Sequence, residues 1–332
     1  MRVFVTGSIA TDHLMTFSGR FTEQLIPEQL HTVSLSFLVD DLVVRRGGVA
    51  ANIAYGLGLL GLRPVLAGAV GPDFADYRTW LQDHGVDTSG VLVSPRHHTA
   101  RFVCTTDAAQ NQIASFYAGA MSEARHIGLG ELAERVGGPH LVLIGANDPE
   151  AMLRHVAECR ARGYVYASDI SQQLALLDRE SVRRLVTGAA FLFTNEYEHE
   201  LLTSRTGWST EEVLDRAGTW VTTLGPAGVR LQRANESAVE VRPPGVVESV
   251  DPTGAGDAFR AGFLAAATRG LDLVRAAQLG CLLAGRSLVV PGPQDYDWDD
   301  ASARETLSTA YGPEVADQIL SRLATEPALS RV

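Results

Sequence analysis

The chain has 332 residues, 45% hydrophobic and 20% charged, with a formal net charge of −11. That composition is expected of a soluble globular protein, long enough for one large domain or a large domain with a small one attached. The acidity disfavours a nucleic-acid polymer as partner, and no apolar run is long enough to span a bilayer.

All 28 basic residues are arginine, because the chain contains no lysine. A Walker-type P-loop, the protein-kinase architecture and Schiff-base chemistry each require one. Any phosphate handled here must therefore meet backbone amides, arginine or a metal. The three cysteines, Cys104, Cys159 and Cys281, are scattered and form no Cys-x-x-Cys. They read as reduced thiols of a cytoplasmic protein without structural zinc.

Arg2 to Val5 reads as a first strand, too short in apolar length for a signal peptide. It ends at Thr6-Gly7-Ser8, with Asp12 just beyond. This arrangement either places a carboxylate at the C-terminal edge of a parallel sheet or is an ordinary polar loop. From His31 to Val44, Val33, Leu35, Phe37 and Val39 alternate with polar residues, and β-rich patches return at 101–106 and 112–117. These patches predict a small separate sheet, inserted into the main domain and able to cover a site. Gly47-Gly48-Val49-Ala50-Ala51-Asn52 leads into a helix from Ile53 to Leu60. The glycine pair permits close backbone approach to a ligand, and Asn52 could offer an amide to hydroxyls. Gly56-Leu57-Gly58-Leu59-Leu60-Gly61 matches the dinucleotide fingerprint, but it ends an apolar helical run and lacks the strand-to-helix context that motif needs.

Val65 to Val70 reads as a strand, 75–84 as a helix and Val91 to Val93 as a strand. Helices over 129–136, 150–161, 179–187, 196–204 and 210–217 then alternate with strands at 141–145, 164–167, 191–193 and 220–223. The alternation predicts a mostly parallel sheet wrapped by helices. Residues 229–241 suggest antiparallel edge strands, and helices follow near 272–286, 299–308 and 313–323. Asn147-Asp148, Asp169 with Gln172-Gln173, Asn195 with Glu198, and Thr223 with Gly225 and Gly228 all follow strands. That is the edge where open parallel sheets bind ligands, although each alone could be a cap or loop residue.

Asp251-Pro252-Thr253-Gly254-Ala255-Gly256-Asp257-Ala258-Phe259 opens an apolar run to Ala267. Glycines at a helix start expose its free N–H groups to an anion. Asp257 would repel that anion as a binder but suits the role of a base beside it. Read locally, it is equally a helix-start acid that satisfies the dipole.

Together these stretches resemble the ribokinase-like (PfkB) carbohydrate and nucleoside kinases. Residues 251–257 resemble the family's C-terminal signature, and 47–52 with Gly61 and Gly71 its N-terminal one. Asn195-Glu196-Tyr197-Glu198 resembles its Asn-x-x-Glu motif, and 223–228 its ATP loop. Pro252 is a small departure, since Thr is commoner there. Gly7 to Leu14, Ser34 to Phe37, Gln112 to Tyr117 and Ser171 to Gln173 are most similar to the bacterial adenosine kinases of that family.

The resemblance implies a single ribokinase-like domain over 1–332, with a central α/β layer and a β-sheet lid from about 12–44 and 98–120 that supports a homodimer. It implies transfer of the ATP γ-phosphate to the 5′-hydroxyl of adenosine, as in purine salvage. Asp257 would be the base, with Gly254, Ala255 and Gly256 as anion hole. Asp12, Gly48 and Asn52 would hold the ribose. Phe102 and Phe116 would stack on adenine unless they are core residues of the lid or dimer. Ser8, Ser36, Gln172 and Gln173 would give polar contacts. Gln112, Asn195, Thr223, Gly225, Gly228 and Gly256 would meet ATP. Glu198 would act on Mg²⁺ through water, and K⁺ is a further cation the resemblance brings in. A sugar kinase of the same fold and a non-catalytic nucleoside-binding protein are the alternatives. The aromatic pair argues against the first, the intact Asp257 against the second.

Overall fold

A computed structural model describes residues 2–25, 32, 36–245 and 247–325. In chain order the strands are β1 (Val3–Thr6), β2 (Ala10–Phe17), β3 (Asp41–Gly47), β4 (Val65–Ala67), β5 (Ala69–Val70), β6 (Leu92–Val93) and β7 (Ala100–Asp107). They continue with β8 (Gln112–Tyr117), β9 (Leu141–Ile144), β10 (Tyr166–Asp169), β11 (Phe191–Asn195), β12 (Thr219–Thr223), β13 (Val229–Gln232) and β14 (Val239–Val241). The helices are α1 (Phe21–Gln24), α2 (Val49–Leu59), α3 (Ala75–Asp83), α4 (Leu129–Val136), α5 (Pro149–Arg162) and α6 (Arg179–Val186). After them come α7 (Glu196–Thr206), α8 (Thr210–Leu214), α9 (Ala255–Thr268), α10 (Leu273–Leu288), α11 (Asp300–Tyr311) and α12 (Pro313–Ala324).

The main sheet has eight strands in the order β14-β13-β12-β11-β10-β9-β1-β4. The pairs from β4 to β12 are parallel, and β13 and β14 close the edge antiparallel. Central strands are covered on both faces, so β1 and β9 are unbroken runs of buried residues. Two apolar clusters lie on its two faces. One joins Val5, Leu143, Phe193 and Phe263, and the other joins Phe4, Val142, Leu192 and Trp220.

A second sheet of four strands, β3-β2-β7-β8, stands apart from the first. It is built by two segments of the chain, with β2 parallel to β7 and antiparallel to β3. Asp12 lies inside β2, so the loop reading after Gly7-Ser8 gives way to an eight-residue strand. Most of β2 is only half-buried, and without one clearly buried face its sequence shows no clean two-residue alternation. The alternation expected over 31–39 falls largely outside the described residues, and β3 starts only at Asp41.

Both helices that open on glycine start earlier than their apolar runs suggest: α2 at Val49, α9 at Ala255. Their first turns hold small and polar residues, which carry little apolar signal. Among the described residues no helix is long and apolar enough to cross a membrane, and the three cysteines are buried and free.

Candidate active site

Gly254 caps α9 in the left-handed region at φ 79°, where a Cβ would lie 2.3 Å from Pro293 Cβ. Glycine alone fits that position. Among the described residues no side chain caps this helix, and Ala255 N–H makes only a long bond (3.3 Å) to Pro252 C=O. The next amides, of Gly256 and Asp257, have no acceptor within their helix and carry the positive end of its dipole. The loop ahead of the helix is held by Asp251. Its Oδ1 accepts from Thr253 N at 2.9 Å, and its Oδ2 accepts from Gly292 N at 3.2 Å and from Arg45 Nη1 at 2.5 Å. Arg45 belongs to β3, so this ion pair ties the second sheet to the turn before α9.

Asp257 stands in the first turn of α9, and its Oδ2 accepts from Asn52 Nδ2 at 2.8 Å. Burial pushes its carboxyl up to about 7, against the pull of Arg260 and Asn52 and with reinforcement from the carboxylates of Asp169 and Glu198. A carboxylate poised near neutrality is suited to taking a proton from a hydroxyl. Arg260 was not expected from sequence. Its Nη2 donates to Asp169 Oδ1 at 2.7 Å, and its Nε lies 2.7 Å from Asp169 Oδ2. A Cβ on Gly256 would meet Arg260 Nη1 at 2.7 Å, so this second glycine makes room for the guanidinium. The available signal was an arginine inside the apolar run Ala258 to Ala267. Such a charge is buried only when paired.

Asn195 and Glu198 form a capping box on α7: Asn195 Oδ1 accepts from Glu198 N and Glu198 Oε2 from Asn195 N, both at 2.8 Å. Burial raises the Glu198 carboxyl above its ordinary range, and Asp169 adds to the rise. The cap and metal readings of this motif are compatible, because a carboxylate fixed by one backbone bond keeps lone pairs free.

Gly256, next to Asp257 in the chain, lines a cavity of about 690 Å³ together with Thr223, Gly225, Gly228, Phe259 and Leu282 among others. Its size and mostly apolar wall suit a nucleotide. It brings together the residues expected to meet ATP except Asn195, the last residue of β11 and the cap of α7, and Gln112. The latter is exposed at the start of β8, with Nε2 3.4 Å from Thr106 Oγ1.

Asn52, Gly48, Ser8 and Asp12 are not among the residues lining that cavity. Gly48 (φ 97°) lets the chain pass within contact of Ser8 and Ala10, and Ser8 Oγ accepts from Val49 N at 3.1 Å. A Cβ on Gly47 would reach Asp12 Oδ2 at 2.9 Å. Burial raises the Asp12 carboxyl to about 6, with Arg45 opposing and Asp251 adding to the rise. Both ends of the Asn52 amide are engaged, Nδ2 by Asp257 and Oδ1 by Gln294 Nε2, which leaves one N–H over for a further partner.

In the second sheet Arg45 pairs with Asp12, Asp12 with Phe102, and Phe102 with Phe116. Residues so paired share one face of a sheet. A carboxylate and two phenyl rings therefore form a row on the side from which Arg45 reaches Asp251. Gln173 is buried with Oε1 unpartnered among the described residues, and Gln172 is exposed beside it on the turn after β10. Ser36 is exposed in the segment leading to β3, next to Phe37, which packs on Phe17 and Phe21. Asn147, after β9, is 1% exposed with neither amide atom partnered among the described residues. A buried amide in that state is completed by a ligand or water. Sequence reading noted Asn147 at its strand end without giving it a role.

The model of the pfkB family carbohydrate kinases matches residues 8–300. The nucleoside kinase of Methanothermobacter thermautotrophicus is 31% identical over 81% of this chain and 87% of its own. The nucleoside kinase of Burkholderia thailandensis, solved in complex with inosine, aligns with a TM-score of 0.82 at 31% identity over 94% of this chain and 99% of that one. Its complex with ADP-inosine aligns at 0.79 and 33% identity, covering 94% and 96%. With a matched segment spanning most of its length, this ribokinase-like chain belongs to the pfkB family of carbohydrate kinases.

Proposed function

We propose that the protein is a nucleoside kinase that transfers the γ-phosphoryl group of ATP to the 5′-hydroxyl of adenosine, giving AMP and ADP. The observation that carries this reading is the row Asp12–Phe102–Phe116 on the sheet face whose Arg45 reaches the α9 turn. The carboxylate can accept from two vicinal ribose hydroxyls, and the rings offer a stacking slot that a free sugar does not need. The nucleoside kinases among its relatives support the same class.

Asp257 accepts the proton of the 5′-hydroxyl as that oxygen attacks phosphorus in line, and the bond to the β–γ bridging oxygen breaks. The amides from Gly254 to Asp257 hold the charge on the transferred phosphoryl. The cavity along Thr223, Gly225 and Gly228 takes the nucleotide. Among the described residues no group of three or more His, Cys, Asp or Glu could hold a metal. Mg²⁺ keeps much of its water and is shared with substrate phosphates. Glu198, through water and with Asn195 beside it, would hold the ion, which neutralises phosphate charge when bound.

A coupled assay with ATP, Mg²⁺ and adenosine, inosine, ribose or fructose tests the reading. Adenosine is expected to have the highest kcat/KM. A higher value for inosine would move the substrate within the nucleosides, ribose or fructose in first place would make this a sugar kinase, and adenosine binding without turnover would leave a nucleoside-binding protein.

A further inference from the structure

A chain of hydrogen bonds runs from the glycine pair to Asp257 through two residues that no motif marks. Tyr77, on α3, donates its hydroxyl proton to Gly47 C=O at 2.9 Å. It can then only accept from Gln294, whose Nε2 lies 2.5 Å away. The same Nε2 donates to Asn52 Oδ1 at 2.8 Å. Asn52 is left with only N–H groups to offer Asp257. Gln294 is 1% exposed and Tyr77 and Asn52 are each 5% exposed, so water does not compete for these bonds. Gln294 Oε1 has no partner among the described residues, so the side chain acts through its nitrogen alone.

We propose that Gln294 is a positioning residue that locks the Asn52 amide with its N–H, and not its C=O, toward the Asp257 carboxylate. This rests on Asp257 being the base of the reaction proposed above. An unrestrained amide serves either state of its neighbour, giving N–H to a carboxylate or C=O to a carboxylic acid. The lock removes the second option, so the amide stabilises only the ionised base. The other groups facing Asp257 are Arg260 on its own helix, Asp169 on β10, Glu198 on α7, Tyr77 on α3 and Tyr296 beyond Gln294. Of these only Arg260 is a cation, and the locked amide adds a neutral donor to it.

The test reads Asp257 directly. Protein labelled with ¹³C at aspartate carboxyls is titrated by NMR, the Asp257 signal being identified by its loss in Asp257→Asn. In Gln294→Met, Asn52 is free to turn, and the Asp257 midpoint should rise by about half to one pH unit, roughly three- to tenfold in proton affinity. In Gln294→Glu the carboxylate accepts from both Tyr77 and Asn52, turning the Asn52 C=O toward Asp257, and the rise should be larger. Tyr77→Phe releases Gln294 and should move the midpoint the same way, and it serves alone if Gln294→Met does not fold. Unchanged midpoints in Gln294→Met and Tyr77→Phe would overturn the proposal. The acid limb of kcat/KM should move by the same amount. A shifted NMR midpoint with an unmoved limb would keep the lock and remove Asp257 as the base.

Discussion

At the scale of single residues, Asp257 carries the sharpest prediction. Its carboxyl is raised to about 7, first by burial. A base works only when ionised, so kcat/KM should fall as pH drops below about 7. Asp257→Asn should lower kcat by several decades and leave adenosine binding, read by calorimetry, nearly intact. A near-normal kcat would remove the assignment. Stability has the opposite sign. A carboxyl whose folded pKa is raised contributes stability below its unfolded value and loses it as pH rises through about 7. Asp257→Asn should therefore raise Tm at pH 8, a gain where function is lost. Arg260 is 6% exposed and Asp169 0%. Arg260→Met leaves a buried carboxylate unpaired and should cost about 3–5 kcal/mol in urea unfolding. It should also raise the acid limb, because Arg260 holds the Asp257 carboxyl down. The double variant Asp169→Asn/Arg260→Met should lose less than the sum of the singles. These residues divide what the sequence made legible from what it did not. Residues 251–257 show a glycine-opened helix start locally, because small residues before a helical run leave its amides exposed, but base and helix-start acid read alike there. Gln294 lies 242 positions from the Asn52 it orients, and no local pattern marks that pairing.

At the scale of elements, the distance between Asp257 and the Asn52 amide is set by how closely α2 and α9 pack. Gly56 lies where they meet. A Cβ there would come within 2.6 Å of Ala261 Cβ and 2.7 Å of Tyr296 Oη. Gly58 is similarly pressed on the His84 carbonyl. The false dinucleotide fingerprint thus has a packing cause, since these glycines let helices and loops approach. Arg269 reinforces the seam by donating to Ala265 C=O at 3.2 Å and Leu60 C=O at 2.8 Å, joining the C-terminal ends of both helices. Gly56→Ala should overpack the seam at a cost of about 1–3 kcal/mol. The 2.8 Å bond from Asn52 to Asp257 should lengthen as the helices part, so kcat should fall while KM for ATP holds. A lowered Tm with unchanged kcat would mean that the seam does not set the base. The mostly parallel sheet was legible in the alternation of strands and helices, because strands buried on both faces leave continuous apolar runs. β2 was not, because a half-exposed strand carries no such imprint.

At the scale of the whole molecule, the two faces of the second sheet differ in what they carry. The Asp12 row faces the α9 turn. The register puts Leu42, Met15, Thr105 and Ile113 in one row of the opposite face, and Val44, His13, Val103 and Ser115 in the next. Leu42, Val44 and Ile113 are exposed there. Apolar side chains in adjacent rows of an open sheet form a patch of the kind that marks an interface. We propose a second copy of this chain as its occupant, which would cover the outer face while the inner one serves substrate. Light scattering behind size exclusion should give about twice 35.6 kDa. Val44→Asp and Ile113→Asp each bury a charge in such an interface and should yield monomers with an unchanged Tm of the main domain. KM for adenosine should rise more than KM for ATP, because the row Asp12–Phe102–Phe116 is carried by the sheet that the partner would steady, whereas the nucleotide cavity is not. A wild-type protein that elutes as a monomer at micromolar concentration would overturn the dimer and leave the outer face as exposed surface.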